Sequence, residues 1–342
     1  MWRMPTRAPR VCPQPTRRRL RTPVALGAAA LVAVGVAAGA GSAVAAPGSG
    51  KSRAPTTIAL LGDTPYGPEQ RVAFPALVAD VDADRRVRLV LHAGDVKAGS
   101  ESCSDDLLQD SLARYQSFAD PFVLTPGDND WTDCHRTTNG AFVPTERLDR
   151  LRELMFPDPG RTIGGRAAPV VSQGVVDPTH PAYVENVRFT RSGVVMATAH
   201  VVGSSNGLAP WAQLPGGDMP EQRLAEFEAR RAANLAWLDA AFDEAEATGA
   251  AGVLLLLQAE PLADDPGFSA ERELILRRSA GFDGPVLLAH GDEHRYEVEP
   301  AYGGVANLTR LETFGDTATE WLRLTVDPRT EAVFAWQPMT VG

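Results

Sequence analysis

Four short apolar segments of the sequence end in side chains that can bind a metal ion. In three of them Gly-Asp follows the apolar run, which places Asp63, Asp95 and Asp128 directly behind it, and the fourth ends in Gly-Asp-Glu-His at residues 291–294. Ligands of open α/β sheets bind outside the carboxyl ends of the strands. A Gly before the Asp allows a sharp turn and a close approach of the backbone to an ion or phosphate. The pattern therefore predicts one shared polar site formed by four strand ends.

Alternating strands and helices must position these side chains. Before residue 131, apolar runs alternate with segments of helical spacing, which implies parallel strands with right-handed crossovers. Near the C-terminus three strand-like runs follow one another without helices, which favours two sheets packed face to face with helices outside. The predicted strands are 56–61, 87–91, 121–124, 183–189, 194–202, 252–257, 285–289, 306–313, 321–326 and 331–336, and the predicted helices are 69–84, 104–118, 144–155, 221–247 and 270–280, with a long loop at 157–181.

The first 45 residues form a different kind of sequence. They contain seven Arg and no acidic residue, then the weakly hydrophobic run 24–40, and they end in Ala-Val-Ala. This order predicts an export signal peptide at 1–45, and an Arg-Arg-Arg-Leu string at 17–20 partly matches a twin-arginine signal. An uncleaved membrane anchor is the alternative, which the Ala- and Gly-rich run disfavours.

Export implies a mature chain without a stable membrane span, secreted or associated with the cell envelope. Residues 46–55 are predicted to form a flexible lead-in and residues 56–342 a single domain. The full sequence has 33 basic and 43 acidic residues, and loss of seven Arg leaves 26 basic residues and a net charge of −17. That charge opposes non-specific binding to nucleic acid or anionic membranes. The sequence makes no prediction of oligomeric state.

The strand-end motifs resemble those of the calcineurin-like metallophosphoesterase superfamily, over about residues 56–336. That family reads Asp-x-His, Gly-Asp-x-x-Asp, Gly-Asn-His-Asp/Glu, a lone His after a strand, and Gly-His-x-His. Asp63 and Asp95 match the first two motifs, residues 127–130 the third, and residues 291–294 the last. The resemblance implies an α/β fold of the four-layer αββα type, with two mixed sheets face to face and helices outside.

Two longer strings are similar to a secreted bacterial branch of that superfamily. They are Gly-Asp-Thr-Pro-Tyr-Gly at 62–67 and Pro-Gly-Asp-Asn-Asp-Trp-Thr-Asp-Cys-His-Arg at 126–136. The resemblance implies an exported metal-dependent phosphoesterase, which hydrolyses a phosphomonoester or phosphodiester of a small molecule or phosphorylated substrate.

The resemblance also implies one or two divalent metal ions. Phosphoester hydrolysis needs an activated water and compensation of charge, which two metals about 3.5–4 Å apart can supply. By motif position Asp95 would bridge them, and Asp63 and His294 would hold the first ion. Asp128 would hold the second, helped by Asp292. This carboxylate-rich set favours Mn²⁺, Mg²⁺ or Ca²⁺ over Zn²⁺, with iron as a further candidate.

The sequence departs from the family motifs at several positions. Asp128 stands where the family has Asn, and the family's His residues are replaced at Pro65, Asn129, Gln258 and Asp292. Asn129 takes the place of the His that protonates the leaving group, so His135 or His200 could supply that proton. Gln258 could assist at the second ion.

Two further residues could contact the substrate, and most of the site residues have ordinary structural alternatives. Arg136 could clamp a phosphate through two parallel hydrogen bonds, and Asn206 could line the cleft. An Asp in a Gly-Asp loop also suits a plain turn, and His294 or His200 could have a purely structural role.

Two Cys follow the predicted site loops, Cys103 after the second and Cys134 after the third. An even count in an exported chain predicts a disulfide, because the implied fold places both loops at one edge of a sheet. Two free thiols, or a Cys that binds metal, are the alternatives.

Because the family's His residues are replaced, a second function is the alternative to catalysis. The chain could be a catalytically impaired binding protein that keeps the fold and one cation. Retained Asp63, Asp95 and His294, together with acidic replacements, favour catalysis instead. A Ser hydrolase is disfavoured because the sequence contains no Gly-x-Ser-x-Gly motif.

Overall fold

The computed structural model describes residues 54–317 and 320–341. The predicted signal peptide at 1–45, and residues 46–53 of the predicted lead-in, lie outside the described residues. None of the helices in the described part of the chain is both long and apolar enough to cross a membrane.

Twelve strands and five longer helices build the described chain. The strands are β1 (Thr56–Leu61), β2 (Val87–His92), β3 (Phe122–Leu124), β4 (Val171–Ser172), β5 (Val187–Arg191), β6 (Val194–Thr198), β7 (Gly252–Leu256), β8 (Val286–His290), β9 (Glu297–Pro300), β10 (Leu308–Glu312), β11 (Glu320–Val326) and β12 (Phe334–Thr340). The helices are Gly67–Ala83, Asp105–Gln116, Pro144–Met155, Pro220–Thr248 and Ser269–Gly281, with short helical turns at Thr132–His135, Thr137–Asn139, Gln173–Val176, Gly203–Asn206, Tyr302–Gly304 and Gly315–Thr317.

The strands form two mixed sheets. The first has the order β12-β11-β1-β2-β3 and the second has the order β4-β5-β6-β7-β8-β10-β9. Strands β1, β2 and β3 are parallel, and Leu61 pairs with His92, which in turn pairs with Leu124. Because these three strands end at the same level, the loops that follow them begin side by side.

Three apolar cores separate four layers. Leu60 and Leu91 of the first sheet share a core with Leu254 and Leu287 of the second, so the sheets pack face to face. The other face of the first sheet packs on the helices at 67–83, 105–116 and 144–155. The other face of the second sheet packs on the helices at 220–248 and 269–281. The predicted four-layer αββα sandwich is therefore confirmed.

Strand β7 illustrates why the central strands were predictable. Leu254 and Leu256 point into the core between the sheets, whereas Val253 and Leu255 point into the helix-covered core. Side chains of a strand alternate between faces, and here both faces are buried. A strand of this kind requires an uninterrupted apolar run.

The structure differs from the predicted elements at the sheet edges. The edge strand β9 was not predicted, because its sequence Glu-Val-Glu-Pro has the charges and Pro that are typical of exposed edges. The predicted loop at 157–181 contains β4 and one helical turn. The last strand starts at Phe334 rather than at residue 331, because residues 327–333 form a hydrogen-bonded turn.

Candidate metal centre

Several loops that follow the parallel strands turn through left-handed backbone conformations. Asp63 and Asp95 follow β1 and β2 with φ of 54° and 57°, and Asp292 and His294 follow β8 with φ of 81° and 56°. Such conformations are uncommon for residues other than Gly and cluster at functional sites. Here they direct side chains that follow strands of both sheets toward one site.

The first group of candidate ligands consists of Asp63, Asp95 and His294, whose ligand atoms lie within 4.8 Å of one another. His294 Nε2 is 3.4 Å from Asp63 Oδ1, and its Nδ1 is 2.9 Å from Asp316 Oδ1. A carboxylate on the far ring nitrogen is the usual partner of a metal-binding His, because it fixes the orientation of the ring.

The second group consists of Asp95, Asp128 and Asp292, again within 4.8 Å. Asp95 belongs to both groups, which is the arrangement a bridging carboxylate needs. The structure thus brings together all five residues that the sequence predicted as ligands.

Three glycines allow the backbone to lie against these carboxylates. A Cβ atom on Gly127 would lie 1.8 Å from Asp95 Oδ1, and one on Gly291 would lie 2.0 Å from Asp63 Oδ2. A Cβ atom on Gly203 would lie 2.5 Å from Asp292 Oδ1. Any larger residue would displace the candidate ligands, so the centre depends on Gly at these positions.

The electrostatics of the centre favour a cation. Burial, reinforced by the charges of Asp128 and Asp130, raises the pKa of Asp95 well above its ordinary value. Burial and then Asp128 raise the pKa of Asp292 in the same way. Burial opposes a charge on His294, but the hydrogen bond and charge of Asp63 outweigh it and raise the His294 pKa to about 9. Clustered, buried carboxylates with oxygen atoms this close fit divalent cations.

Asn129 and Tyr66 contact the shared carboxylate. Asn129 Nδ2 donates to Asp95 Oδ2 at 2.6 Å and to the Tyr66 hydroxyl at 3.1 Å. The Tyr66 hydroxyl donates to Asp95 Oδ2 at 2.9 Å. Burial is the main cause that raises the pKa of Tyr66 well above its ordinary value, so the phenol keeps its proton. The sequence predicts that Tyr66, within the Gly-Asp-Thr-Pro-Tyr-Gly string, overhangs the site loops, but it assigns the hydroxyl no role.

Two further polar residues lie around the centre: Asp130 of the third motif, and Lys97, which the sequence predicts over the same loops as an anion contact or a solvated side chain. Asp130 accepts hydrogen bonds from the backbone N–H groups of Val96 and Gly127, at 2.8 and 2.7 Å, and so ties two site loops together. Lys97 is fully buried, and its ammonium faces the charges of Asp130 and Asp95. The burial of Lys97 follows from tertiary packing, which the spacing of a single motif does not reveal.

The predicted roles of His200 and Asn206 are corrected by burial. His200 is 0% exposed, and its Nδ1 lies 2.8 Å from Glu185 Oε1 in the interior. Asn206 is also 0% exposed, accepts a hydrogen bond from Arg230 and donates one to the backbone of Gly267. Neither side chain can reach a substrate without leaving its buried partners, so we assign both a structural role.

The orientation of Gln258 also disagrees with its predicted role as a helper at the second ion. Its Oε1 accepts the backbone N–H of Gly203 at 2.7 Å, which turns its amide nitrogen toward Asp292 Oδ1, also at 2.7 Å. An NH₂ group cannot bind a cation. Gln258 therefore holds the carboxylate of Asp292 instead of serving as a ligand.

His135 and Arg136 lie in and next to the helical turn Thr132–His135, beside the third site loop. His135 Nδ1 accepts the backbone N–H of Gln213 at 3.5 Å, and burial is the main cause that lowers its pKa. Arg136 forms a 2.6 Å ion pair with Asp133, and its side chain remains 37% exposed. Arg136 is thus accessible to an anion, whereas its predicted contact with phosphate stays a prediction.

The predicted disulfide between Cys103 and Cys134 is present, with the Cα atoms 5.8 Å apart. Both sulfur atoms lie near the backbone oxygen of Asn129, at 3.7 and 3.9 Å. The bond therefore ties the loop after β2 to the loop that carries Asp128.

Removing this disulfide should lower the stability of the chain. The bond closes a loop with a sequence separation of 31 residues, so replacing both Cys by Ser should cost about 3–4 kcal/mol in the chain-entropy account. Urea unfolding of the two proteins measures the difference. A variant as stable as the wild type would show that the bond does not form.

Gly127 should not tolerate a methyl group. We expect Gly127→Ala to lower the free energy of unfolding by about 1–3 kcal/mol, because the new Cβ overlaps Asp95. Gly216→Ala is the matched control, since a Cβ there meets nothing within 4 Å, and it should stay within about 0.5 kcal/mol of the wild type. Equal denaturant midpoints for the two variants would contradict the packing described.

The metal-free chain should lose stability as the pH rises from 6.5 to 9. Burial is the main cause that raises the pKa of Asp130 and of Asp133 to about 7, and the pKa of His294 is raised to about 9. The folded chain keeps these protons to a higher pH than the unfolded chain does. Stability therefore falls by up to about 1.4 kcal/mol per pH unit for each group, up to about pH 7 for the two Asp and from 6.5 to about 9 for His294. Starting at 6.5 avoids the opposite contribution of His92 and His290, whose pKa values are lowered to about 4 and 3.

Urea unfolding in the presence of a chelator measures this dependence. Added Mn²⁺ should flatten the profile, because a cation balances the carboxylates at every pH in the range. A flat profile in the chelator would show that the pKa values of Asp130, Asp133 and His294 are not raised in the folded chain.

Known proteins resemble this chain in structure but not in sequence. No protein-family model matches the sequence, and no curated protein matches it either. Among solved structures, a dimetal phosphatase from Danio rerio superposes with a TM-score of 0.50 over 84% of this chain and 99% of its own, at 12% identity. The chain has the calcineurin-like metallophosphoesterase fold.

Other solved structures with weaker superposition also match. A 5'-nucleotidase from Candida albicans matches with a TM-score of 0.44 at 10% identity, over 84% of this chain and 52% of its own. GAP50, the anchor in the inner membrane complex of Plasmodium, matches with the same score and identity over 84% and 89%. The 12% identity to the Danio rerio structure shows a shared fold and no more.

Proposed function

We propose that the chain is an exported metal-dependent phosphoesterase that hydrolyses a phosphomonoester or phosphodiester with metal-activated water. The observation that carries this proposal is the pair of ligand groups that share Asp95. Two ligand groups with a common carboxylate suit a two-metal centre, whereas a single structural ion needs only one ligand group. The metallophosphoesterase fold supports the same conclusion.

Five residues would hold the two cations. Asp63 and His294 would hold the first cation, Asp128 and Asp292 would hold the second, and Asp95 would contribute to both. When bound, the cations supply an activated water and compensate the charge of the phosphoryl oxygens. The set contains a single nitrogen ligand, which favours hard ions such as Mn²⁺, Mg²⁺ or Ca²⁺, while the imidazole keeps Fe and Zn²⁺ as candidates.

The substrate is proposed to be a phosphate ester that enters from the side of Arg136. The net charge of −17 after removal of residues 1–45, which leaves 26 basic and 43 acidic residues, repels anions, so the cations and Arg136 must provide the attraction. The same charge disfavours nucleic acid as a partner.

We also propose export by the signal at 1–45, with 46–55 as lead-in and 56–342 as the mature domain. The disulfide between Cys103 and Cys134 supports an oxidising compartment.

The binding-protein alternative is supported by one specific contact. Asp95 Oδ2 accepts hydrogen bonds from both Asn129 and Tyr66, at 2.6 and 2.9 Å. Those donors stabilise the carboxylate without a metal, and a chain that had lost its cations would benefit from them.

Hydrolysis of p-nitrophenyl phosphate and bis(p-nitrophenyl) phosphate separates the two functions. We expect release of nitrophenol from one of them in the presence of Mn²⁺, and loss of that activity after chelation. Addition of Mn²⁺ should restore it. If neither ester is cleaved with Mn²⁺, Mg²⁺, Ca²⁺, Fe²⁺ or Zn²⁺, the chain is the binding protein.

A further inference from the structure

The loop after β6 contains three consecutive left-handed residues beside the second ligand group. Ser204, Ser205 and Asn206 have φ of 53°, 58° and 51°. None of the three is Gly, and each such residue costs about 1–3 kcal/mol. A conformation of this kind persists only where the surrounding structure enforces it.

Buried contacts enforce this turn. Arg230 is 0% exposed and donates to Asn206 Oδ1 at 2.6 Å and to the Asn206 carbonyl at 2.8 Å. Ser205 Oγ donates to Asp265 Oδ1 at 2.6 Å. A Cβ on Gly267 would lie 2.1 Å from the carbonyl oxygen of Ser205, so that residue must be Gly for the two loops to pack.

The turn places the hydroxyl of Ser204 between two carboxylates. Ser204 Oγ lies 2.9 Å from Asp128 Oδ2 and 2.9 Å from Asp133 Oδ1. A hydroxyl has one hydrogen and two lone pairs, so it can donate to only one of these carboxylates. Asp133 is held by Arg136 at 2.6 Å. Donation to Asp133 leaves the lone pairs of Ser204 facing Asp128.

The second ligand group lacks a neutral ligand unless Ser204 provides it. Asp95, Asp128 and Asp292 are all carboxylates, and Gln258 presents its NH₂ group to them. Hard cations accept hydroxyl oxygens as ligands alongside carboxylates.

We propose that the Ser204 hydroxyl is the fourth protein ligand of the second cation, beside Asp95, Asp128 and Asp292. The assignment rests on the proposed two-metal function. It gives the second site four oxygen ligands, whereas the first contains the imidazole of His294. The two sites should therefore differ in metal preference, with the second selective for the harder ion.

Ser205 offers a matched control for the test. It has the same residue type and the same left-handed backbone as Ser204, but its hydroxyl contacts Asp265 instead of the ligand group. In the full chain, Ser204→Cys and Ser205→Cys carry equal numbers of other thiols. Titration with Cd²⁺ should give a thiolate-to-cadmium absorption band in Ser204→Cys beyond that of Ser205→Cys, since thiolates bind soft ions. Equal bands would overturn the assignment.

Alanine variants test the same ligand without a new thiol. Calorimetric titration with Mn²⁺ should show two ions in the wild type and in Ser205→Ala. In Ser204→Ala the affinity for one ion should fall about 10- to 100-fold while the other is retained. If the wild type binds two ions and Ser204→Ala matches Ser205→Ala, the ligand assignment is wrong and the two-metal function stands. If the wild type binds no Mn²⁺, both proposals fail.

Discussion

Replacing Asp95 by Asn should remove cations from both ligand groups and lower phosphoesterase activity by orders of magnitude. The substitution keeps the shape of the side chain but removes the charge that the two groups share. An amide presents at most one oxygen, so it cannot bridge two cations as a carboxylate does. The stabilisation by bound metal should also disappear, which for a ligand at 100 times its Kd is worth about 2.7 kcal/mol per ion.

Without metal, Asp95→Asn should be more stable than the wild type. Burial, followed by the charges of Asp128 and Asp130, raises the pKa of Asp95. In the metal-free fold Asp95 must therefore either take up a proton or remain as a buried charge, and Asn avoids that free-energy cost. We therefore expect Asp95→Asn to unfold at a higher temperature than the wild type in chelator, and at a lower temperature in Mn²⁺. Asp264→Asn, at an exposed position, should change neither value. Wild-type metal content in Asp95→Asn would refute the bridging role.

The second large effect concerns the leaving group. The resemblance of residues 127–130 to the family motif implies that Asn129 takes the place of the His that protonates the leaving oxygen, and an amide cannot act as a general acid at neutral pH. An aryl phosphate leaves without protonation, so the wild type should cleave it far faster than an alkyl phosphate. General acids contribute about 10²–10⁴-fold, and Asn129→His should recover part of that factor for the alkyl substrate only.

Equal rates for aryl and alkyl substrates would mean that another side chain donates the proton. His200 is enclosed with Glu185, which leaves His135 and the Tyr66 hydroxyl. The Tyr66→Phe variant separates them, because it removes only the hydroxyl beside Asp95. An unchanged alkyl rate in Tyr66→Phe would point to His135.

The layered fold was predictable because its central strands are buried on both faces. A run such as that of β7 is apolar at every position, and its helical neighbours repeat with a different period. The edge strand β9 has no such signal, since two of its four residues are Glu and its edge faces solvent. Edge strands are stabilised by their neighbours and not by their own sequence.

The place of the site was predictable because Gly-Asp at a strand end restricts where the Asp can point, whereas the individual candidate ligands came from the family resemblance. His200 and Asn206 show the limit of that reasoning. Both follow β6. Glu185 holds His200 in the interior and Arg230 holds Asn206 there, and neither contact can be predicted from the spacing of the motif. Ser204 was missed for the converse reason. Its position depends on a left-handed turn that Asp265 and Gly267 enforce from another loop.

The number of metal ions bound per chain tests the two-metal centre most directly. The purified protein would be stripped with a chelator, dialysed to equilibrium against Mn²⁺ and subjected to elemental analysis. Two ligand groups that share Asp95 predict two Mn²⁺ per chain. A chain that binds no Mn²⁺, and none of Mg²⁺, Ca²⁺, Fe²⁺ or Zn²⁺ in its place, would contradict the centre.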